Sequence, residues 1–140
     1  RIGYLNHYLM KKLFSLVSFV FLSTISFAEK HVVLNQVKSD AAKPVSSITL
    51  AEDSLCSSFL ITIQKEVKRH KHVKHTENVL ITDGEGIMTL GDSTFNVKAG
   101  DYIFIPRNTP HSVKVTSPQP VKLLSVQSPR FDPSDRIFID

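Results

Sequence analysis

Three histidines and one glutamate stand at spacings that could hold a metal ion. His70 and His72 are two residues apart in the stretch RHKHVKHTEN, and Glu77 begins the run that follows. In an extended segment, residues i and i+2 share a face with α-carbons roughly 6.5–7 Å apart, so both imidazoles could reach one ion. A chain reversal would bring Glu77 alongside, and His111 opens a run far downstream. Such a set suits Mn, Fe, Ni, Co or Zn and leaves one or two coordination positions open.

Spacing alone leaves other interpretations of these residues open. The segment KEVKRHKHVKH has five Lys or Arg in eleven residues and could be a basic patch for polyanions. We expect no nucleic-acid partner, because the segment has no aromatic side chains on which bases could stack. Glu77 could instead be a strand-start carboxylate paired with Lys74, and His111 could pack beside Pro110. His75 is predicted to be an exposed loop histidine, with a ligand or substrate contact as the alternative.

The elements that would position these residues are short β-type runs. The runs are FLITI, ENVLITD, IMTL, STFNV, YIFI, HSVKV and VKLLSV. Their regular spacing, with Gly or Pro between most of them, predicts an all-β sandwich or barrel. A weak edge strand is expected near Ile48–Leu50. Phe95, Tyr102 and Phe104 are expected to fill the core.

Roughly half of the chain, from about residue 59 to 126, resembles the cupins. Their first motif reads G(x)5HxH(x)3–4E(x)6G. Four residues fall at its intervals: His70, His72, Glu77 and Gly84. The leading Gly of the motif is missing, and Lys65 or Glu66 stands near its place.

The second cupin motif reads G(x)5PxG(x)2H(x)3N. Gly100, Pro106 and His111 match it, while Asn108 replaces the middle Gly and Val115 replaces the final Asn. Asn is the next-best residue for a left-handed turn, so the change at position 108 is mild.

The cupin resemblance implies an all-β fold, a double-stranded β-helix or jelly-roll barrel, with its site near one mouth. His70, His72, Glu77 and His111 match the metal ligands of metallocupins. The expected cofactor is therefore a divalent transition metal (Fe, Mn, Ni or Zn), and the expected partner is a small-molecule substrate or ligand. Cupins of this size are commonly homodimers, so a homodimer is expected here.

The resemblance also narrows the activity to two classes. The first expectation is a metal-dependent oxidoreductase, a dioxygenase of the kind that opens flavonol or other enol rings, with an isomerase or lyase next. Glu77 would then be both a metal ligand and a catalytic proton acceptor. The alternative is a non-catalytic cupin module that uses the same pocket to bind a sugar or other small ligand.

The first 28 residues have the pattern of an upstream extension and a secretory signal peptide. Met10 is followed by two lysines, the apolar run LFSLVSFVFLSTISF and small residues up to Ala28. This pattern predicts cleavage after Ala28 and a periplasmic or secreted protein. The sixteen residues from Leu13 to Ala28 are short against the ~20 of a membrane span, so no stable anchor is expected after cleavage. Removal of this segment lowers the net charge from +4 to +1.

The predicted organisation has four parts. Residues 1–28 are the upstream residues and signal peptide, 29–54 an N-terminal arm with an edge strand, 55–130 the cupin barrel, and 131–140 a C-terminal tail. Cys56 is the only cysteine, which excludes an intrachain disulfide. Its surroundings predict a small buried hydrophobic side chain.

Overall fold

The computed structural model describes residues 30–139, and its regular structure is almost entirely β. The strands are β1 (Val45–Glu52), β2 (Ser57–Ile63), β3 (Glu66–His72), β4 (Thr76–Asp83), β5 (Glu85–Leu90), β6 (Ser93–Lys98), β7 (Tyr102–Ile105), β8 (His111–Val115), β9 (Val121–Ser128) and β10 (Arg136–Phe138). Two 3-10 turns, Leu34–Gln36 and Pro133–Asp135, accompany them. Within residues 30–139, no helix has the length and hydropathy needed to cross a membrane. The predicted signal peptide and start at Met10 lie outside the described residues.

The ten strands form two antiparallel sheets of five strands each. One sheet has the order β1-β2-β9-β4-β7, and the other has the order β10-β3-β8-β5-β6. Buried aliphatic side chains from both sheets pack together between them, among them Ile81 and Leu123 from the first and Met88 and Val113 from the second. The all-β jelly-roll prediction is therefore confirmed.

The interior of the barrel changes from apolar to polar along the strands. On β9, alternation sends Val121 and Leu123 inward, followed by Ser125 and Gln127, and all four are buried. Glu77 of β4 pairs in register with Gln127, so its side chain also lies at the polar end. One end of the barrel thus has an apolar core, and the other end carries buried polar side chains that can bind a ligand.

Three aromatic residues do not fill the core as expected. Tyr102 and Phe104 are 63% and 50% exposed, and Phe95 is 38% exposed. On β7 the isoleucines at 103 and 105 take the inward positions, so Tyr102 and Phe104, which alternate with them, point outward. Cys56 also differs from expectation, since it is half-buried in the turn before β2.

Two turns have the backbone conformation that the motif comparison requires. Asn108 has a φ of 60°, the left-handed conformation that a Gly would otherwise supply. Gly84 has a φ of 78°, and a β-carbon there would overlap the carbonyl of Pro120. These turns set the paths of the chain into β8 and β5.

Candidate metal centre

His70 and His72 enter the barrel from β3, the strand formed by the histidine-rich stretch. Both side chains are buried, whereas Lys71 between them is partly exposed, as strand alternation requires. The β3–β8 register shifts between Val67 and His70. This irregularity lets Val67 pack against the core although it lies an odd number of residues from both histidines.

His111 joins them from the neighbouring strand of the same sheet. It is the first residue of β8 and pairs in register with His70, and the two ring centres are 4.2 Å apart. One ring nitrogen of each of His70, His72 and His111 lies within 4.8 Å of the others. The three histidines therefore meet at one point inside the barrel.

Glu77 reaches the same point from the opposite sheet. Its Oε2 lies 3.6 Å from Nε2 of His72 and 3.5 Å from Nε2 of His111. The other oxygen, Oε1, accepts a hydrogen bond from the buried hydroxyl of Ser125. The structure thus brings all four predicted site residues together, and we call His70, His72, Glu77 and His111 the cavity cluster.

The hydrogen bonds of two rings leave their Nε2 atoms free for a metal. Nδ1 of His70 is 2.8 Å from the carbonyl of Lys68, and Nδ1 of His111 is 3.0 Å from the carbonyl of Thr109. A carbonyl can only accept, so each Nδ1 carries the proton and each Nε2 keeps its lone pair. Nδ1 of His72 is buried without a hydrogen-bond partner among the described residues. This donor set fits a divalent transition metal.

The pKa values of His70 and Glu77 are both lowered, which favours the protonation state that a metal requires of each. Burial and the neighbouring His111 together lower the pKa of His70 to about 3, because they outweigh the opposing effect of the hydrogen bond to the carbonyl of Lys68. Burial by itself raises the pKa of Glu77, but His111, His72 and Ser125 together hold it below its ordinary value. A neutral imidazole and an ionised carboxylate are the forms that coordinate metals.

The cavity cluster lines an internal cavity of about 120 Å³. Its other walls are mostly aliphatic and come from both sheets, with Val67, Val79, Ile81 and Met88 among them. Arg136, the first residue of β10, also lines it. A small organic molecule with an apolar body would fit such walls.

A second buried group lies beside the first and corrects the prediction for His75. The His75 side chain is only 2% exposed, and its Nδ1 lies 2.6 Å from Oδ2 of Asp135. Its Nε2 lies 2.8 Å from the carbonyl of Arg130 and 3.2 Å from the backbone nitrogen of Asp132. The tail of the chain folds back over this histidine, so it is not exposed.

Three residues of this region, Ser125, Asp135 and Arg136, were not predicted from sequence, and a fourth, His75, was predicted to be exposed. Ser125 and His75 had no local signal, because their partners lie 48 and 60 residues away along the chain. Asp135 and Arg136 belong to a stretch that reads as a surface tail, PRFDPSDRIFID. Two Asp–Arg neighbourhoods were its only distinguishing feature.

Comparisons with known proteins agree with this architecture. The family model described as "Cupin domain" (Cupin_2) matches residues 59–127. An uncharacterized protein of Methanocaldococcus jannaschii is 34% identical over 81 residues, 58% of this chain and 65% of that relative's length.

Solved structures give the same result. A conserved protein with a double-stranded beta-helix domain from Klebsiella pneumoniae aligns with a TM-score of 0.70 at 15% identity, covering 80% of this chain and 98% of that one. The polyketide cyclase RemF from Streptomyces resistomycificus aligns with a TM-score of 0.66 at 21% identity, covering 80% and 86%. At these identities the likeness shows the fold.

Proposed function

The chain belongs to the cupin superfamily, and on that premise we propose that it is a small-molecule metalloenzyme whose divalent metal is held by His70, His72, Glu77 and His111. The observation that carries the proposal is the convergence of three histidines and one carboxylate, from both sheets, on one cavity. The sequence comparison spans part of the archaeal relative, so the activity rests on the site and not on that relative.

The residues divide the work between holding the metal and handling the substrate. A bound metal supplies Lewis-acid or oxygen chemistry. His70 and His111 are oriented by their Nδ1–H donations to backbone carbonyls, and Ser125 fixes one oxygen of Glu77. The other oxygen faces the cluster, where the carboxylate can accept a proton from a substrate. The apolar walls exclude water and so strengthen every charge interaction inside.

Within this class we favour dioxygenase-type chemistry on an enol, with an isomerase or lyase as the second candidate. Three histidines and one carboxylate leave one or two coordination positions for substrate and oxygen. The fold of the polyketide cyclase RemF also accommodates chemistry on a small organic molecule, which supports a ring-forming or lyase-type alternative. A non-catalytic module that binds a sugar or similar ligand would use the same cavity.

We further propose that the protein acts outside the cytoplasm and as a homodimer. The signal-peptide pattern of residues 10–28 supports export. N-terminal sequencing of the exported protein and its light-scattering mass test these two points. An intact leader, or a monomer at micromolar concentration, would remove them without touching the metal site.

Metal analysis of the protein tests the central proposal. The protein is expressed without a histidine tag, and the double variant His70→Ala/His72→Ala is compared with wild type. The matched control is His31→Ala, because His31 is exposed and lies outside the barrel. We expect near-stoichiometric Fe, Mn, Ni or Zn in wild type and control, and none in the double variant while it remains folded.

Oxygen uptake then separates the candidate functions. A wild-type protein that binds metal and consumes oxygen with enolic substrates is a dioxygenase. Metal binding without turnover leaves the binding module. No metal in wild type, and no uptake on titration, would refute the metalloenzyme.

A further inference from the structure

Arg136 is a cation in the wall of the cavity, and the described part of the chain places no carboxylate in an ion pair with it. Within residues 30–139, no carboxylate lies within ion-pair distance of its guanidinium, and its Nε is buried without a hydrogen-bond partner. Each of the other described arginines either has a partner for its guanidinium or is exposed to solvent. Arg69 donates to the carbonyl of Gly91, Arg130 pairs with Glu52, and Arg107 is exposed.

The backbone fixes this guanidinium close to the metal centre. Arg136 pairs in register with His72, and its guanidinium carbon lies 5.3 Å from the ring centre of Phe138, a cation–π contact. Burial lowers the pKa of Arg136, and the Glu77 carboxylate in the same cavity partly opposes that effect. The guanidinium remains charged at neutral pH because arginine does not deprotonate in proteins.

Glu77 forms no ion pair with Arg136 and acts on its charge only from a distance. One of its oxygens accepts from Ser125, and the other faces His72 and His111. A half-buried guanidinium has five donors, and an unmatched buried charge is costly, so an anionic partner that enters from solvent would be strongly favoured. The Arg136 guanidinium offers the planar fork that binds a carboxylate through two parallel hydrogen bonds.

The residues around Arg136 indicate the charge and polarity of a ligand that this cavity would bind. Arg136 also lines an outer groove, together with Lys65, Lys68 and Lys114 and one acid, Glu66. This excess of positive charge would raise the local concentration of anions at the cavity. Inside, the walls are aliphatic. The partner is thus negative at one end and apolar along its body.

We propose that Arg136 binds a carboxylate of the substrate, so that the substrate class is a small carboxylic acid with an apolar body. The acid lies with its carboxylate on Arg136 and its carbon chain in the aliphatic cavity, beside the cavity cluster. This inference rests on the proposed function only for the statement that the bound acid is a substrate.

Calorimetric titration with a matched pair of probes tests the proposal. The probes are 3-methylbutanoate and 3-methylbutanamide, which share a carbon skeleton and differ in charge. The protein is first freed of metal by chelation, because a metal ion would itself attract a carboxylate, and is then titrated again with Mn²⁺ bound. The variants are Arg136→Gln and Arg136→Lys, and the matched control is Arg130→Gln on the surface.

We expect the wild type to bind the acid at least tenfold more tightly than the amide, with or without the metal. Arg136→Gln should weaken binding of the acid by about 10- to 100-fold, the usual range for hydrogen bonds to a charged group. Arg136→Lys should fall between, because it keeps the charge and loses the fork. Arg130→Gln should match wild type.

Equal affinity for acid and amide, no measurable binding of the acid at millimolar concentration, or equal effects of the two glutamine variants would overturn the proposal. If Arg136→Gln does not fold, the comparison of acid with amide on wild type still decides. Acid binding through Arg136 by a protein that takes up no metal would refute the metalloenzyme and keep this inference. Metal uptake without preference for the acid would refute this inference and leave the metalloenzyme proposal in place.

Discussion

Two buried groups of histidine and carboxylate lie side by side in this barrel, and they differ in how their polar atoms are used. In the His75–Asp135 pair, the Asp135 carboxylate accepts hydrogen bonds from the backbone nitrogens of Val73, Lys74 and His75. In the cavity cluster, one ring nitrogen of each of the three histidines faces the other two at a cavity, and Oε2 of Glu77 lies 3.5 Å from Nε2 of His111.

The His75–Asp135 pair, which we call the clamp, is structural, whereas the cavity cluster is a site that can bind a ligand. Both groups are buried and both contain titratable side chains, so burial does not distinguish them. The Asp135 carboxylate and Nε2 of His75 contact backbone groups, and so this pair ties the C-terminal segment to the loop between β3 and β4. The cavity cluster keeps lone pairs unsatisfied, an arrangement that costs stability unless a ligand completes it.

Removal of a ring from the cavity cluster should have the largest effect, and chiefly on metal affinity. We expect His111→Ala to weaken metal binding on the order of 10²- to 10³-fold, one ligand's share of a four-ligand site. The unfolding free energy of the metal-free protein should fall by about 2 kcal/mol, because the variant loses the Nδ1 hydrogen bond to the carbonyl of Thr109 and the packing of a buried ring. Competition with a chelator measures the first value and urea unfolding the second. A large loss of metal-free stability would make this ring structural as well.

Removal of the clamp carboxylate should give the opposite pattern. We expect Asp135→Ala to lower the unfolding free energy by about 3 kcal/mol, with metal present or absent, because it leaves three backbone donors and a buried histidine unpaired. Asp132→Ala, which removes two hydrogen bonds from Ser134 and an exposed ion pair with Lys74, is the control and should cost about 1 kcal/mol. Loss of a second metal equivalent in Asp135→Ala, with little change in stability, would show that the pair is itself a metal site.

Loss of the Ser125 hydroxyl should have a smaller effect on metal affinity, because Ser125 is not a ligand and only holds Glu77 in place. Ser125→Ala frees Oε1 of Glu77, and we expect metal affinity to fall about 10- to 100-fold, as for other partners that orient a metal ligand. Ser128→Ala is a matched control on the same strand, since its hydroxyl is exposed and donates to the carbonyl of Leu55. The same chelator competition measures both variants, and equal affinities would leave Ser125 without a role in metal binding.

Acidification should act on the two groups in different pH ranges. The folded protein holds the pKa of His70 at about 3, below its unfolded value near 6.5. Between these two pKa values the unfolded chain binds a proton at His70 and the folded protein does not. The free energy of unfolding therefore falls as the pH drops below about 6.5, by up to ~1.4 kcal/mol per pH unit. The pKa values of Glu77 and Asp135 are also lowered on folding, and their contributions are lost only below about 4.5 and 3.8.

Urea unfolding of the metal-free protein between pH 7 and pH 5 isolates the His70 contribution. Wild type should lose about 1 to 2 kcal/mol over that range, and His70→Asn should lose correspondingly less. The exposed His31→Asn serves as the control and should keep the wild-type slope. Identical slopes in all three proteins would show that His70 is not held neutral by burial.

Much of the barrel and the four residues of the cavity cluster could be predicted from sequence because their signals are local. His70 and His72 share a face through the two-residue period of a strand, and Asn108 takes the left-handed conformation that its position in the motif requires. Cys56, in contrast, has strand-like neighbours and still lies half-buried in a turn.

Tertiary structure decided the rest, since partners distant in sequence determine it. YIFI is apolar at every position, so its sequence cannot tell which face is inside; the neighbouring strands placed Ile103 inward and Tyr102 outward. His75 is buried because Asp135 returns to it after 60 residues. Arg136 lines the cavity because β10 pairs with β3. Sequence spacing thus fixed which side chains a strand can present together, whereas burial and pairing of charges depended on which distant segments pack over them.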